Sequence, residues 1–214
     1  AMLLQKPKFF QQNKLAILMD YTRLKDLQAR YITKFKIRKK LRNEAEELLR
    51  EAKKLAPQDS YIFYLWAILK WDQANDPQTD TKARVRLYKE AEQLLQEAKK
   101  LAPQDAAPLV MLSSLRVDQA RNAAPEERTR LLDEAEVFLN KLAPQDAPKA
   151  FYDRARISAL RGKPKEALAF LEQSRWARTL PSREHIEKEK ALDSLRQRED
   201  FKEFLQRPWP SQKP

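Results

Sequence analysis

Four sets of residues in this 214-residue chain carry side chains able to do chemistry or recognition. The first is His185, the only imidazole, in the stretch Ser182-Arg-Glu-His-Ile-Glu187. Metal binding or proton transfer by a histidine needs a converging set of partners. There is no second histidine and no cysteine, and Glu184 and Glu187 have the spacing of ordinary helix-surface carboxylates, so a solvated histidine is the simpler reading. The second set is Glu44-Ala-Glu46-Glu47, with copies beginning at Glu90 and Glu134. Paired carboxylates could act as acid and base, but their recurrence at one helix position points to a solvated face pairing with lysines one turn on. The third set is Lys34, Lys36, Arg38, Lys39, Lys40 and Arg42, flanked by Tyr31 and Phe35. It could hold phosphates of nucleic acid or anionic lipid heads, or it could be a basic solvated helix face whose aromatics turn inward. The fourth is Tyr61-Ile-Phe-Tyr-Leu-Trp-Ala-Ile-Leu-Lys-Trp71, apolar nearly all the way round where a surface helix needs only a stripe of about 100°. The excess is either buried under the N-terminal helix or lines a groove through Tyr61, Tyr64, Ile68 and Trp71.

The composition narrows what such residues can do. Leucine (30) and alanine (27) far outnumber valine (4) and isoleucine (7), which leaves little β-branched supply for a sheet and predicts an all-α chain. The lone glycine, Gly162, excludes phosphate-cradling glycine loops, and the absence of cysteine excludes thiol nucleophiles, disulfides and zinc-thiolate sites. No acid–base pair, cofactor motif or metal-ligand set stands out, so the expectation is a non-enzymatic protein without cofactor or metal. The formal charge of +12 is uneven: residues 1–55 carry +9, 56–105 −1, 106–147 −2 and 148–214 +6. The ends are basic and the middle is near neutral. The longest apolar run, Tyr61 to Leu69, is too short for the roughly 20 residues that span a bilayer. Ala1 ahead of Met2 leaves an upstream signal or anchor open. The cytoplasm is favoured as the compartment, with the periplasm or a membrane-attached state as alternatives.

The elements that must position these residues follow from an internal repeat. Leu-Ala-Pro-Gln-Asp occurs at Leu55, Leu101 and Leu142, at spacings of 46 and 41 residues, each copy preceded by Glu-Ala-Glu. Periods of 20 to 50 residues mean stacked supersecondary units. In each copy leucines and alanines recur at helical spacing, proline stops the helix, and Asp59, Asp105 and Asp146 are placed to cap the next one. The thirteen prolines punctuate helices over about 9–33, 37–56, 60–75, 81–102, 107–121, 127–142, 148–161 and 164–177, with short helices from Arg183 to about Leu205.

These residues resemble the tetratricopeptide repeats. Ala150-Phe-Tyr152, Ala155, Gly162, Ala167, Leu171 and Ser174 match that motif best, while Phe63, Trp66, Ala67, Ala91, Leu95, Ala98 and Pro103 match an earlier copy, and Leu109, Leu112, Ser113 and Ala135 another. Leu192-Asp-Ser-Leu-Arg196 to Leu205 is similar to the closing segment of bacterial arrays of this kind. The first two pairs are longer than the family's 34-residue unit. The resemblance implies a right-handed solenoid of antiparallel helix pairs, with a degenerate half-repeat at 1–36, the array at 37–180, capping helices at 181–206 and a disordered tail at 207–214. It implies protein–protein binding in a concave groove, through Tyr61, Tyr64, Ile68 and Trp71, then Val110, Ser114 and Val117, then Lys149, Tyr152 and Arg156. That set is aromatic at one end and cationic at the other, which suits a partner with an apolar head and an acidic tail. The alternative is a basic adaptor binding nucleic acid or an anionic membrane surface through residues 30–42. The partner is expected to be another protein, and self-association stays open.

Overall fold

A computed structural model describes residues 5–209, with side chains from residue 13 onward. The described chain is all-α, a tandem series of antiparallel helix pairs. It divides into two compact units, residues 1–108 and 109–214.

In the first unit α1 (Gln5–Tyr31) pairs with α2 (Phe35–Leu55), and α3 (Ser60–Asn75) with α4 (Thr81–Leu101). Helices α2 and α4 are amphipathic: α2 buries Arg42, Ala45, Leu49 and Ala52, and α4 buries Leu87, Tyr88, Ala91, Leu95 and Ala98. Helix α3 touches α1, α2 and α4, which explains why it is apolar on nearly every side. Leu18 and Met19 of α1, Ala45 and Leu49 of α2, and Ile62 and Leu69 of α3 share one core. Asp59 caps α3 by accepting the Tyr61 amide at 2.9 Å, and Asp80 caps α4 through the Ala83 amide at 2.8 Å. Helix α1 begins four residues ahead of the expected 9, with Pro7 in its first turn where a missing amide breaks nothing.

The second unit is built on α5 (Ala107–Ala120), α6 (Pro125–Asn140), α7 (Phe151–Leu160) and α8 (Pro164–Trp176). Asp105 accepts the Ala107 amide at 2.9 Å and starts α5 as expected. The third copy departs: Asp146 caps no α-helix but lies in a 3-10 turn, Pro144–Ala150, and pairs with Lys149 at 2.7 Å. Pro148 lacks the amide that an α-helical turn would need there, so α7 starts only at Phe151. Helices α7 and α8, at 10 and 13 residues, are shorter than α3 and α4, at 16 and 21, as the elongation of the earlier repeats implied. Gly162 ends α7 at φ +71° and Arg178 ends α8 at φ 57°; each lets the following amide reach back to a helix carbonyl, Ser158 O and Ser174 O respectively, both at 2.9 Å.

The C-terminal segment contains α9 (Arg183–Lys188), a 3-10 turn (Lys190–Leu195) and α10 (Glu199–Gln206). Ile186, Leu192, Leu195, Phe201 and Phe204 pack on Ala155, Ala167 and Leu171. The expected disordered tail starts too early: Trp209 rests edge-on against Phe204 and donates from Nε1 to Pro181 O at 2.8 Å. Residues 210–214 lie outside the described residues.

One relation recurs in every pair. The glutamate preceding a fully buried alanine (Ala45, Ala91, Ala135, Ala167) reaches back to the helix before it. Glu44 meets Lys25 at 2.6 Å, Glu90 meets Lys70 at 2.9 Å, Glu134 meets Arg116 at 2.6 Å, and Glu166 accepts from Ser158 Oγ at 3.0 Å. Beyond Glu46–Arg50 and other contacts within a helix, these carboxylates therefore pin neighbouring helices together, and are not simply a solvated face. Helix α1 supplies its cation as α3 and α5 do, whereas α7 supplies a hydroxyl.

Candidate functional site

A concave feature walled by sequence-expected residues lies between α1 and α3. It is a groove of about 320 Å³ lined by Leu27 from α1 and by Tyr61, Tyr64, Leu65 and Ile68 from α3. The spacing of Tyr61, Tyr64 and Ile68 puts them along one helix face. Both tyrosines and Ile68 are half-buried, and the two rings stack at 6.2 Å. Arg23 stands over the Tyr61 ring at 5.0 Å, and Arg30 borders the groove beside it. Helix α1 thus flanks α3 without sealing its aromatics. Trp71 is half-buried but does not line this groove, and Phe63 and Leu69 are core.

The groove floor carries charge. Asp26 is nine-tenths buried, accepts from Arg30 Nη2 at 2.8 Å through one oxygen, and has no donor on the other. Arg30 also reaches Asp72 of α3 at 2.7 Å. Burial, with the Asp26 charge beside it, raises the Asp72 carboxyl to about 7 against the pull of Arg30 and Arg42. Asp26, Asp72 and Asp118 stand 46 residues apart, at equivalent first-helix positions.

The basic cluster of residues 30–42 separates into two parts. Arg38 and Arg42 turn inward onto Asp76, at 2.8 and 2.7 Å. Burial raises the Asp76 carboxyl, but Arg38, the Gln78 amide and Arg42 outweigh it and hold it at about 2. Arg38 also donates to Ile32 O and Thr33 O, closing the α1–α2 turn. These two arginines are structural, and only Lys34, Lys36, Lys39 and Lys40 are left exposed.

In the second unit the expected groove residues meet a different fate. Val110 is half-buried and Lys149 exposed, whereas Val117 is fully buried in the core beside Leu131 and Leu132. Ser114 donates to Asp153 at 2.7 Å. Arg156, expected as an exposed cation for an acidic partner, is 4% exposed and pairs with Asp118, with Asp153 at 3.0 Å and with Glu189 at 3.1 Å. Tyr152 donates to Glu189 at 3.3 Å, its ring edge-on to His185 at 5.8 Å. Burial would raise Glu189, but Arg156, the Ala191 amide, His185 and Arg121 hold its carboxyl below the usual range. His185 Nε2 stands 4.0 Å from Glu189. Val117 and Arg156 are therefore withdrawn as partner contacts: one is core, the other a buried counter-ion whose charge is spent internally.

The chain matches no protein-family model, no curated protein and no solved structure. Among the described residues no group of three or more histidine, cysteine, aspartate or glutamate side chains is arranged to hold a metal ion, and no helix is long and apolar enough to cross a membrane. The residues missed by sequence reasoning are Leu27, Asp26 and Arg30 of α1. Their signal was the 46-residue register linking Asp26 to Asp72 and Asp118, which marks α1 as a first helix in its own right.

Proposed function

We propose that this chain is a non-catalytic protein-binding module of tetratricopeptide type, and that the α1/α3 groove takes an apolar or aromatic-bearing segment of its partner. The observation that carries this reading is the groove itself: two half-buried tyrosines, Leu27 and Ile68 form an apolar trough, with Arg23 and Arg30 on one lip. Tyrosine and arginine are the side chains that most often dominate interface energy when central and desolvated. The partner's acidic groups belong at Arg23, in place of the lost cationic end at Arg156, since Arg30 is already held by Asp26 and Asp72. Helical-repeat architecture is compatible with this role.

The test is capture of partners from the native host by wild type and by Tyr64→Ala and Ile68→Lys, with exposed Val85→Ser as control. A partner retained by wild type and the control, and lost by both groove variants at unchanged helix content, is the expected result. Once identified, its binding should change less than about threefold between about 50 and 300 mM salt, since apolar contacts are little screened. A partner held equally by all four proteins would sink the assignment.

A further inference from the structure

We propose that the outer ridge of α1, together with the α1–α2 turn, is a docking surface for an anionic lipid bilayer, on which the chain rests without crossing it. This surface is separate from the α1/α3 groove and does not depend on what that groove binds.

Helix α1 has two apolar faces. One, with Leu18 and Met19, is core. The other is a line of Ile17, Tyr21, Leu24 and Tyr31, between 47% and 79% exposed, none of which lines the α1/α3 groove. At about 100° per residue these four fall within an arc of about 80°, and they run about 21 Å along the helix. Large apolar side chains exposed in a continuous row mark an interaction surface, whereas scattered ones do not. Just past Tyr31, Ile37 is 42% exposed, Lys34, Lys36 and Lys39 are exposed as well, and among the described residues these three lysines form no ion pair. Lys40 stands 4.0 Å from Glu44, which Lys25 already holds at 2.6 Å. The turn that presents these lysines is fixed from inside by Arg38, through Ile32 O, Thr33 O and Asp76. The lysines are therefore not needed for folding.

Three features choose the occupant. The row is a convex ridge with no second wall, and a partner helix or strand needs a groove or an edge to bed in. Ile17, Leu24 and Ile37 are aliphatic and separate the rings of Tyr21 and Tyr31, so the row offers no continuous set of π-faces for stacking successive nucleobases. A second copy would bring its own strongly basic residues 1–55, at +9, against the same charge. An anionic bilayer answers all three: its surface is planar and yielding, the aliphatic chains enter the acyl boundary, and the lysines meet headgroups.

The test is co-sedimentation of the full chain with phosphatidylcholine vesicles, with and without about 30% phosphatidylserine, at about 50 and 300 mM salt. Wild type should bind the anionic vesicles at least about tenfold more tightly than the neutral ones, and lose most of that binding at the higher salt. Leu24→Ser with Tyr21→Ser should weaken anionic-vesicle binding by about tenfold, as should glutamine at Lys34, Lys36, Lys39 and Lys40 together. Both variants alter exposed positions, and circular dichroism should match wild type. Tyr64→Ala should bind vesicles like wild type, so failure of the groove assignment and failure of this one read out separately. Equal affinity for neutral and anionic vesicles, no binding to either, or an unchanged Leu24→Ser/Tyr21→Ser variant would overturn the proposal. So would a dimer in light scattering that the same double variant dissociates, or tighter binding of single-stranded RNA than of anionic vesicles.

Discussion

Asp72 and Asp118 occupy the same place in successive repeats and end in opposite surroundings. In the first unit, Asp72 and Asp26 share Arg30 under an open trough whose tyrosines stay half-buried. In the second, Asp118 is met by buried Arg156, and the corresponding space is filled by Asp153, Glu189 and Tyr152. Glu189 arrives from the C-terminal segment, so closing the array and closing the crevice are one event. The repeat fixes where a first-helix carboxylate stands. Whether that place stays beneath an open trough or is closed over depends on one arginine and on whether a later segment folds across it.

Removing the covering segment tests this contrast most severely. A chain ending at Thr179 loses Ile186, Leu192, Leu195, Phe201 and Phe204 from the core and leaves Arg156 without Glu189. Each lost core side chain is worth about 2–5 kcal/mol, enough together to exceed a typical domain's stability. The shortened protein should aggregate, and limited proteolysis should digest residues beyond Leu109 while sparing the first unit. A monomeric product as stable as the full chain would show that the segment is not part of the core. Next in size, Arg156→Ala leaves buried carboxylates uncompensated and should cost about 3–5 kcal/mol in urea unfolding. Arg30→Ala, at a half-exposed site, should cost less than about 1.5 kcal/mol. Equal costs would erase the distinction between the two regions.

The two units also differ in how legible they were. Helix count and breaks followed from the prolines and the Leu-Ala-Pro-Gln-Asp repeat, because backbone termination is local chemistry. Asp59 and Asp105 cap as read, but Asp146 does not, since Pro144 and Pro148 together favour a 3-10 turn. Tyr61, Tyr64 and Ile68 line one trough, whereas Trp71, read with them, does not. Arg156 was misplaced because phase puts a side chain on a face but says nothing of what lands on that face. The covering residue, Glu189, lies 33 positions later in a segment read only as a cap. The pins from Glu44, Glu90 and Glu134 were missed for a related reason: i to i+4 pairing is visible in a sequence, and pairing across a helical hairpin is not.

A third experiment uses pH. Asp72 titrates higher in the folded chain than in the unfolded one, so its contribution to stability is full below about pH 4 and is lost as pH rises through about 7. Asp76 runs the other way, stabilising above about pH 4 and failing as pH falls toward about 2. Asp72→Asn can donate to the unpaired Asp26 oxygen, as the protonated acid would. Its melting temperature should stay level from about pH 5 to 8, where that of wild type declines. A wild-type profile flat over that interval would mean that Asp72 is ionised throughout.

Tyr64→Ala should cost about 2 kcal/mol of partner binding but no more than about 1 kcal/mol of folding stability, by calorimetry and urea unfolding respectively. If the folding loss is the larger, the tyrosine is core and the trough is not a site. The smallest effect belongs to Arg178, a non-glycine residue at φ 57°, where Gly162 serves at the end of the neighbouring helix. Arg178→Gly should raise stability by about 0.5–1 kcal/mol in thermal melts, because glycine adopts that conformation without a Cβ clash.

The recurring contact between each second-helix glutamate and its first-helix partner constrains how such a chain can change length. Lys25–Glu44, Lys70–Glu90 and Arg116–Glu134 join the two limbs of a hairpin at one level, next to an alanine with no room for anything larger. A single residue inserted between pin and turn on one limb would rotate that limb by about 100°, turning the glutamate away and the alanine out of the core. Growth on one limb must therefore be matched on the other, or added beyond the turn where nothing is pinned. Hairpins as unequal as α3–α4 and α7–α8 can then coexist in one chain, each lengthened as a whole while its register is kept.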